Sequence, residues 1–226
     1  MPFLHAISGL NNMFELVKAG GWLMLPIIIF SIASLAIIIE RFWSLQRKKV
    51  IPEQAVNKIW QWAQSNELTS KRINELRESS PLGRVLAAGL MNSNQARAVM
   101  KDSIEDTGRH VVHDLQKFLN SLGTIAAVSP LLGLLGTVLG MIKVFSVITS
   151  VGVGDPSELA GGISQALITT AAGISVAIPS LMFYRYFRGK VDDLVVDMEQ
   201  EALKLVDGIH SQRERTPAKN KKKDEK

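Results

Sequence analysis

Residues 118–142 read FLNSLGTIAAVSPLLGLLGTVLGMI, a run of 25 residues without a Lys, Arg, Asp or Glu. Two further uncharged runs occur in the 226-residue chain, 21 residues at 19–39 and 26 residues at 159–184. A helix rises about 1.5 Å per residue, so about 20 residues suffice to cross a hydrocarbon core about 30 Å thick. The sequence therefore predicts three transmembrane helices and excludes a soluble protein with one ordinary core.

The first run is expected to be a retained membrane anchor rather than a cleaved signal peptide. It begins at residue 19, is longer than the apolar core of a typical signal, and is followed by Glu40 and Arg41 instead of a small-residue cleavage site. The chain has no cysteine, which excludes a disulfide-stapled secreted module.

The uneven distribution of basic residues around the three runs predicts the orientation of the chain. Residues 1–18 hold only Lys18 and residues 151–158 hold none, whereas residues 40–117 hold thirteen and residues 185–226 hold eleven. Basic residues that flank membrane segments stay in the cytoplasm. We therefore predict an N-terminus outside the membrane and a C-terminus in the cytoplasm.

The net charge of +5 and the Lys-rich end of the chain raise the question of a nucleic-acid partner. A short basic end without aromatic residues is more typical of a disordered flank beside anionic lipid. We therefore expect contact with the lipid bilayer and no nucleic-acid partner.

These patterns divide the chain into eight segments. For the first of them, an ordinary N-terminal extension is an equally weighted alternative to an amphipathic helix. The predicted segments are a periplasmic amphipathic helix at 1–21, transmembrane helices at 22–40, 118–148 and 161–187, a cytoplasmic helical segment at 41–117, a periplasmic loop at 149–160, a cytoplasmic helix at 188–212 and a disordered basic tail at 213–226.

Helical periodicity dominates the charged parts of the chain. Ser80-Pro81 predicts a helix start, and from Ser93 an apolar residue recurs every three or four positions into the second uncharged run. The third run continues in the same way past Arg188. Since no segment alternates as a strand does, the predicted fold is an all-α integral membrane protein, with the second and third membrane helices extended into the cytoplasm and packed antiparallel.

Small residues lie three or four apart along the second and third runs. Gly133, Gly136 and Gly140 share one helix face in the second run, and Gly173 belongs to a similar row in the third. Small residues let membrane helices approach closely, and Pro130 and Pro179 can kink the two helices. Two interpretations stay open: these faces pack the two helices of one subunit, or they also line a shared cavity.

Two threonines are predicted at mid-membrane depth. Thr137 lies about 20 Å along the second helix from Gly123, and Thr170 lies about 14 Å along the third from Gly161, entering from the other side. Neither run contains an acid or a base. Water and hydroxyl groups could line a proton path here, so an ionisable carrier would have to come from another protein.

Three further ionisable residues are weaker candidates for a functional site. Lys143, near the outward end of the second helix, is expected to snorkel to the interface, with an ion pair to Asp155 or Glu158 as the alternative. His110 and His113 are spaced for a metal, but without a cysteine or a further fixed ligand we predict no metal site.

Two motifs resemble the MotA/TolQ/ExbB family of ion-channel motor subunits. One is PLLGLLGTVLG at 130–140, and the other is ALITTAAGISVAIP at 166–179. The N-terminal segment FELVKAGGWLMLP at 14–26 and Glu40-Arg41 are similar to the ExbB and TolQ branch of that family. The resemblance covers most of the chain.

The resemblance implies a ring of five copies in the bacterial inner membrane around a pair of single-span partners of the ExbD/TolR type. A partner aspartate would carry the proton past Thr137 and Thr170, and we also assign Thr169 and Gln165 to the predicted ion pathway. Proton flow would then drive a periplasm-spanning protein of the TonB or TolA type in outer-membrane transport, with a TolQ-type role in envelope integrity and cell division as an alternative. The resemblance implies no cofactor.

Gln165 departs from the pattern of the family, because several members have a glutamate at this position. A glutamine forms hydrogen bonds but cannot hold a proton, so a relay role here is not supported by the residue type.

Two other classes of function compete with a motor subunit. A non-motor membrane scaffold or a secondary transporter is one, but transporters usually show paired repeats, which three unequal spans lack. An intramembrane enzyme is the other. It would need a nucleophile with a base, or metal ligands, at depth, and we predict no enzymatic activity.

Overall fold

The computed structural model describes residue 15 and residues 17–52, 69–152 and 156–221. Every regular element in these ranges is a helix, which confirms the all-α prediction. Most of the predicted N-terminal helix at 1–21 lies outside the described residues, as does part of the predicted loop at 149–160. The helices are α1 Met24–Ser44, α2 Arg47–Val50, α3 Ser70–Ser79, α4 Pro81–Met91, α5 Arg97–Leu115, α6 Leu119–Val151 and α7 Pro156–Lys221.

Three helical stretches are long and apolar enough to cross a membrane, as predicted. They lie within Met24–Ser44, Arg97–Ser150 and Leu159–Ile209. Large apolar side chains on them are exposed, for example Leu134 at 58% and Leu167 at 64%. Because such a surface is unfavourable in water and favourable in lipid, the exposure agrees with a multi-pass membrane protein.

The start of α4 agrees with the capping signal in the sequence. Pro81 occupies the first turn, and the side-chain oxygen of Ser80 accepts a hydrogen bond of 3.0 Å from the amide of Gly83. This bond satisfies one of the free amide groups that every helix start leaves unpaired.

The predicted helical extension of the second membrane helix is present, with two differences from the apolar period that starts at Ser93. It begins at Arg97, and it is interrupted between α5 and α6, where Phe118 has a φ of 64°. The buried side chain of Arg41 explains where α5 ends, because its guanidinium donates a 3.0 Å hydrogen bond to the carbonyl oxygen of Leu115. A tertiary contact thus satisfies a carbonyl at the end of α5, and periodicity along the chain carries no sign of it.

Helix α7 extends to Lys221, into the segment 213–226 for which a disordered tail is predicted. This helix runs for 66 residues from Pro156, so the third membrane helix continues past Arg188 as predicted. Residues 213–221 include Arg, Glu, Ala and Lys, which are strong helix formers, but also Pro217, which lacks a backbone donor, so helix propensity alone does not account for this extension.

The chain forms two compact units. The first comprises the described residues up to Glu40 together with Phe118–Tyr186, and the second comprises Arg41–Lys117 and the chain from Phe187 onward. In the second unit, the rings of Phe42 and Phe187 meet edge to face with centroids 5.0 Å apart. The second unit also contains almost fully buried apolar side chains, among them Leu82, Leu86, Met100, Val111, Val191 and Leu205.

Candidate ion pathway beside the glycine seam of α6 and α7

The site is built on the contact between α6 and α7, which pack antiparallel in the first unit. Gly140 lies against Ala166, Gly136 against Thr169, and Gly133 against Thr170. Along the contact, residue numbers therefore decrease in α6 as they increase in α7, as expected for antiparallel helices. We call this contact the glycine seam and define it by Gly133, Gly136, Gly140, Gly162 and Gly173.

The backbones of the two helices touch along the glycine seam. A Cβ atom added to Gly133 would lie 3.0 Å from the Cα of Thr170, and one added to Gly173 would lie 2.5 Å from the carbonyl oxygen of Ser129. Added to Gly140, it would lie 2.8 Å from the carbonyl oxygen of Gly162. No side chain larger than hydrogen fits at these positions without moving backbone, so glycine is required by the close approach of the helices.

Thr169, which the sequence analysis assigns to the ion pathway, lies inside the seam. Its side chain is fully buried against Gly136. The hydroxyl group donates to the carbonyl oxygens of Gln165 at 2.9 Å and Ala166 at 3.0 Å, both in its own helix. Thr169 therefore fills space between the helices and satisfies its own polar group.

Thr170 and Thr137 lie at the edge of the seam, and both are half-buried. Thr170 donates a 3.0 Å hydrogen bond across the seam to the carbonyl oxygen of Gly133, while Thr137 donates a 2.6 Å bond to Leu134 in its own helix. Because each proton is committed to a carbonyl, each hydroxyl oxygen presents lone pairs to the space beside the seam. The arrangement offers two hydrogen-bond acceptors and no titratable group.

Gln165 contacts the chain just before α1. Its amide nitrogen lies where a side chain on Gly21 would be, and Gly21 has a φ of 74°. A residue with a side chain would be strained there as well as obstructed. The contact between Gln165 and Gly21 was not predicted, because Gly20-Gly21 signals only a break before the helix.

Both prolines lie inside helices, Pro130 half-buried in α6 and Pro179 exposed in α7. Each has a fully buried serine beside it. Ser129 donates to the carbonyl oxygen of Ile125, and Ser180 donates to that of Val176, both at 2.7 Å. Sequence reasoning missed Ser180, since one serine in an apolar run carries no signal of burial.

The other candidate groups form no site among the residues that the structure describes. Lys143 is exposed, while Asp155 and the side chain of Glu158 lie outside the described residues. His110 and His113 are exposed, and the described part of the chain holds no group of three potential metal ligands.

Comparison with known proteins gives consistent matches. A sequence profile of the MotA/TolQ/ExbB proton channel family matches residues 77–200, more than half of the chain. The chain is 34% identical over 169 residues to the putative biopolymer transport protein ExbB-like 1 of Synechocystis sp., covering 74% of this chain and 66% of the relative. It is 32% identical to ExbB-like 3 of the same organism, covering 75% of this chain and 82% of the relative.

A relative from the Tol system also aligns over most of its length. The Tol-Pal system protein TolQ of Haemophilus influenzae is 28% identical over 202 residues, covering 83% of this chain and 89% of the relative. The chain therefore has relatives named ExbB and a relative named TolQ, the two names of the branch that its sequence motifs resemble. With three membrane-spanning helices and this pattern of relatives, the chain belongs to the MotA/TolQ/ExbB proton channel family, in its ExbB/TolQ-like branch.

Proposed function

We propose that this chain is the channel subunit of an inner-membrane motor that uses proton flow to do mechanical work. The observation that carries the proposal is the pair Thr137 and Thr170 at the edge of the glycine seam. Both hydroxyl protons are committed to carbonyl oxygens, in runs 118–142 and 159–184 that contain no Asp, Glu, Lys or Arg. We assign these two residues to the ion pathway, and we assign Thr169 to helix packing.

The chemistry of this pair suits a mobile proton donor. A hydroxyl oxygen whose own proton is engaged accepts a hydrogen bond from a protonated carboxyl group or from water, but it cannot carry charge itself. A proton crossing mid-membrane needs a group that titrates, and bare charge at that depth is costly. The carrier is therefore a carboxylate on a partner, of the ExbD/TolR type, held beside the two threonines.

The proposed assembly is a ring of five copies around two single-span partners. The exposed apolar faces of α1, α6 and α7 leave area both for lipid and for neighbouring copies. The N-terminus faces the periplasm and the C-terminus the cytoplasm, since the basic residues flank the inner side of each span. Gln165 keeps its place against Gly21 and takes no part in proton transfer.

The mechanical output is proposed to act on a periplasm-spanning protein of the TonB type, in outer-membrane transport. Relatives named biopolymer transport protein ExbB support this output. A TolA-type output in envelope maintenance and cell division is the second candidate, supported by the alignment with TolQ of Haemophilus influenzae.

The proposal is tested by purifying the tagged full chain from the membranes of its own host. We expect a short protein with one transmembrane segment and a single aspartate early in that segment to co-purify. An unrelated tagged three-span protein from the same membranes is the control. Recovery of the chain as a stable oligomer with no single-span protein attached would contradict the proposed partnership.

A further inference from the structure

A polar pocket of about 570 Å³ lies in the second unit, away from the glycine seam. Three cationic side chains line it: Lys49 in α2, Arg77 in α3 and Arg84 in α4. Ser79 and Ser80 lie between Arg77 and Arg84, at the junction of the two helices. The pocket thus brings positive charge from three helical elements to the N-terminal end of α4, where the helix dipole also favours an anion.

The buried hydroxyl of Ser80 provides a donor in this pocket. Ser80 is only 7% exposed, and its oxygen accepts a hydrogen bond from the amide of Gly83. Its own proton meets no acceptor among the residues that the structure describes. A buried donor without a partner is unfavourable, so the pocket lacks an acceptor that a ligand oxygen would supply.

The charge balance of the pocket favours a singly charged ligand. Arg84 forms an ion pair of 2.7 Å with Asp114, and Glu78 also lines the pocket. Three cations against two carboxylates leave one net positive charge. A phosphodiester carries one negative charge, whereas inorganic phosphate carries more than one at neutral pH on average, so the balance fits the diester better.

One lining residue of the pocket, Lys49, contacts Trp43 near the end of α1. Trp43 is four residues past the uncharged run that ends at Ile39, about 6 Å further along α1, and the headgroup layer is about 5 to 7 Å thick on each side. Trp43 is 68% exposed, as aromatic residues at a membrane interface are. The Lys49 ammonium group lies 4.8 Å from the centre of the Trp43 ring, so this lining residue contacts an aromatic side chain of the kind found at membrane interfaces.

We propose that Lys49, Arg77, Arg84 and Ser80 form a binding site for the phosphate group of an anionic phospholipid in the cytoplasmic leaflet. The cations neutralise the phosphodiester, and Ser80 donates a hydrogen bond to one of its oxygens. The site is specific in geometry, unlike a dispersed basic surface that attracts anionic lipid only by total charge.

Lipid binding to the purified full chain in detergent tests the site, with native mass spectrometry to count the bound molecules. The probe is dioleoylphosphatidylglycerol, and zwitterionic dioleoylphosphatidylcholine is the headgroup control. The variant Lys49→Gln with Arg77→Gln should weaken phosphatidylglycerol binding by about tenfold. The matched control, Lys48→Gln with Lys71→Gln, removes the same charge from exposed residues that do not line the pocket, and it should change binding by less than about twofold.

A second variant and a competitor complete the test. Lys49→Arg with Arg77→Lys changes the same two positions but keeps both charges, and it should retain binding. Weak binding by the Gln variant alone would then come from the lost charges and not from misfolding. Millimolar inorganic phosphate is added as a competitor of phosphatidylglycerol. Displacement of the lipid from the wild type but not from the Gln double variant would support the same pocket, with a soluble anion as its ligand. Equal effects of the two Gln double variants, or equal binding of both lipids, would overturn the proposal.

Discussion

Replacing Gly173 with Val is expected to separate α6 from α7 and to destabilise the first unit more than other single substitutions on these helices. A Cβ at this position would lie 2.5 Å from the carbonyl oxygen of Ser129 and 3.2 Å from the Cα of Gly133. Both are backbone atoms, so no side chain can turn away to make room. Overpacking of this kind costs about 3 kcal/mol, and the hydrogen bond from Thr170 to Gly133 would be lost with the contact.

The measurement is thermal unfolding of the full chain in detergent, followed by circular dichroism. Gly161→Val is the matched control, because it places the same side chain in the same helix, where an added Cβ has no neighbour within 4 Å. We expect the control to unfold at the wild-type temperature and Gly173→Val to unfold many degrees lower. Equal unfolding temperatures for the two variants would show that the seam is not packed as described.

The double variant Thr137→Val with Thr170→Val is expected to lower proton flux strongly while leaving the assembly in place. Valine keeps the shape of threonine but removes the acceptor oxygen that each residue presents beside the seam. Two lost hydrogen bonds of about 1 kcal/mol each correspond to roughly thirtyfold in rate if both act on the transfer step. The flux is measured in liposomes that contain the chain together with its single-span partner.

Thr169→Val is the matched control for the double variant. It makes the same chemical change one residue away, at a buried hydroxyl that bonds only to carbonyl oxygens of its own helix. We expect normal flux from this control. Wild-type flux from the double variant, at a wild-type level of reconstituted protein, would remove Thr137 and Thr170 from the ion pathway.

The membrane spans were predictable because length and charge alone decide them. An uncharged run of 25 residues, such as the one from Phe118 to Ile142, has few alternatives to a helix in lipid. The start of α4 was predictable for a similar reason, since a Ser-Pro pair acts locally. Both predictions depend on residues that are neighbours in the chain.

The break between α5 and α6 was not predictable from the sequence. It contains no glycine or proline, and the apolar period continues through it. The Leu115 carbonyl is satisfied instead by Arg41, 74 residues earlier in the chain. A long-range contact of a buried cation leaves no local pattern, so it cannot be predicted from a single sequence.

The different environments of Thr169 and Thr170 were also not predictable from the sequence. Successive residues of a helix point about 100° apart, so one of two adjacent threonines faces the partner helix and the other reaches its edge. Which one does so depends on how α7 is rotated against α6. That rotation is set by the seam, where Gly136 leaves room for the side chain of Thr169.

The most direct test of this account is the proton flux through liposomes that contain this chain without a partner. Since the uncharged runs at 118–142 and 159–184 hold no Asp, Glu, Lys or Arg at mid-membrane depth, we predict the flux of empty liposomes for the chain alone. Adding the single-span partner should raise the flux, and replacing the partner's intramembrane aspartate with asparagine should abolish the increase. Proton flux through the chain alone would contradict the central claim that the carrier comes from another protein.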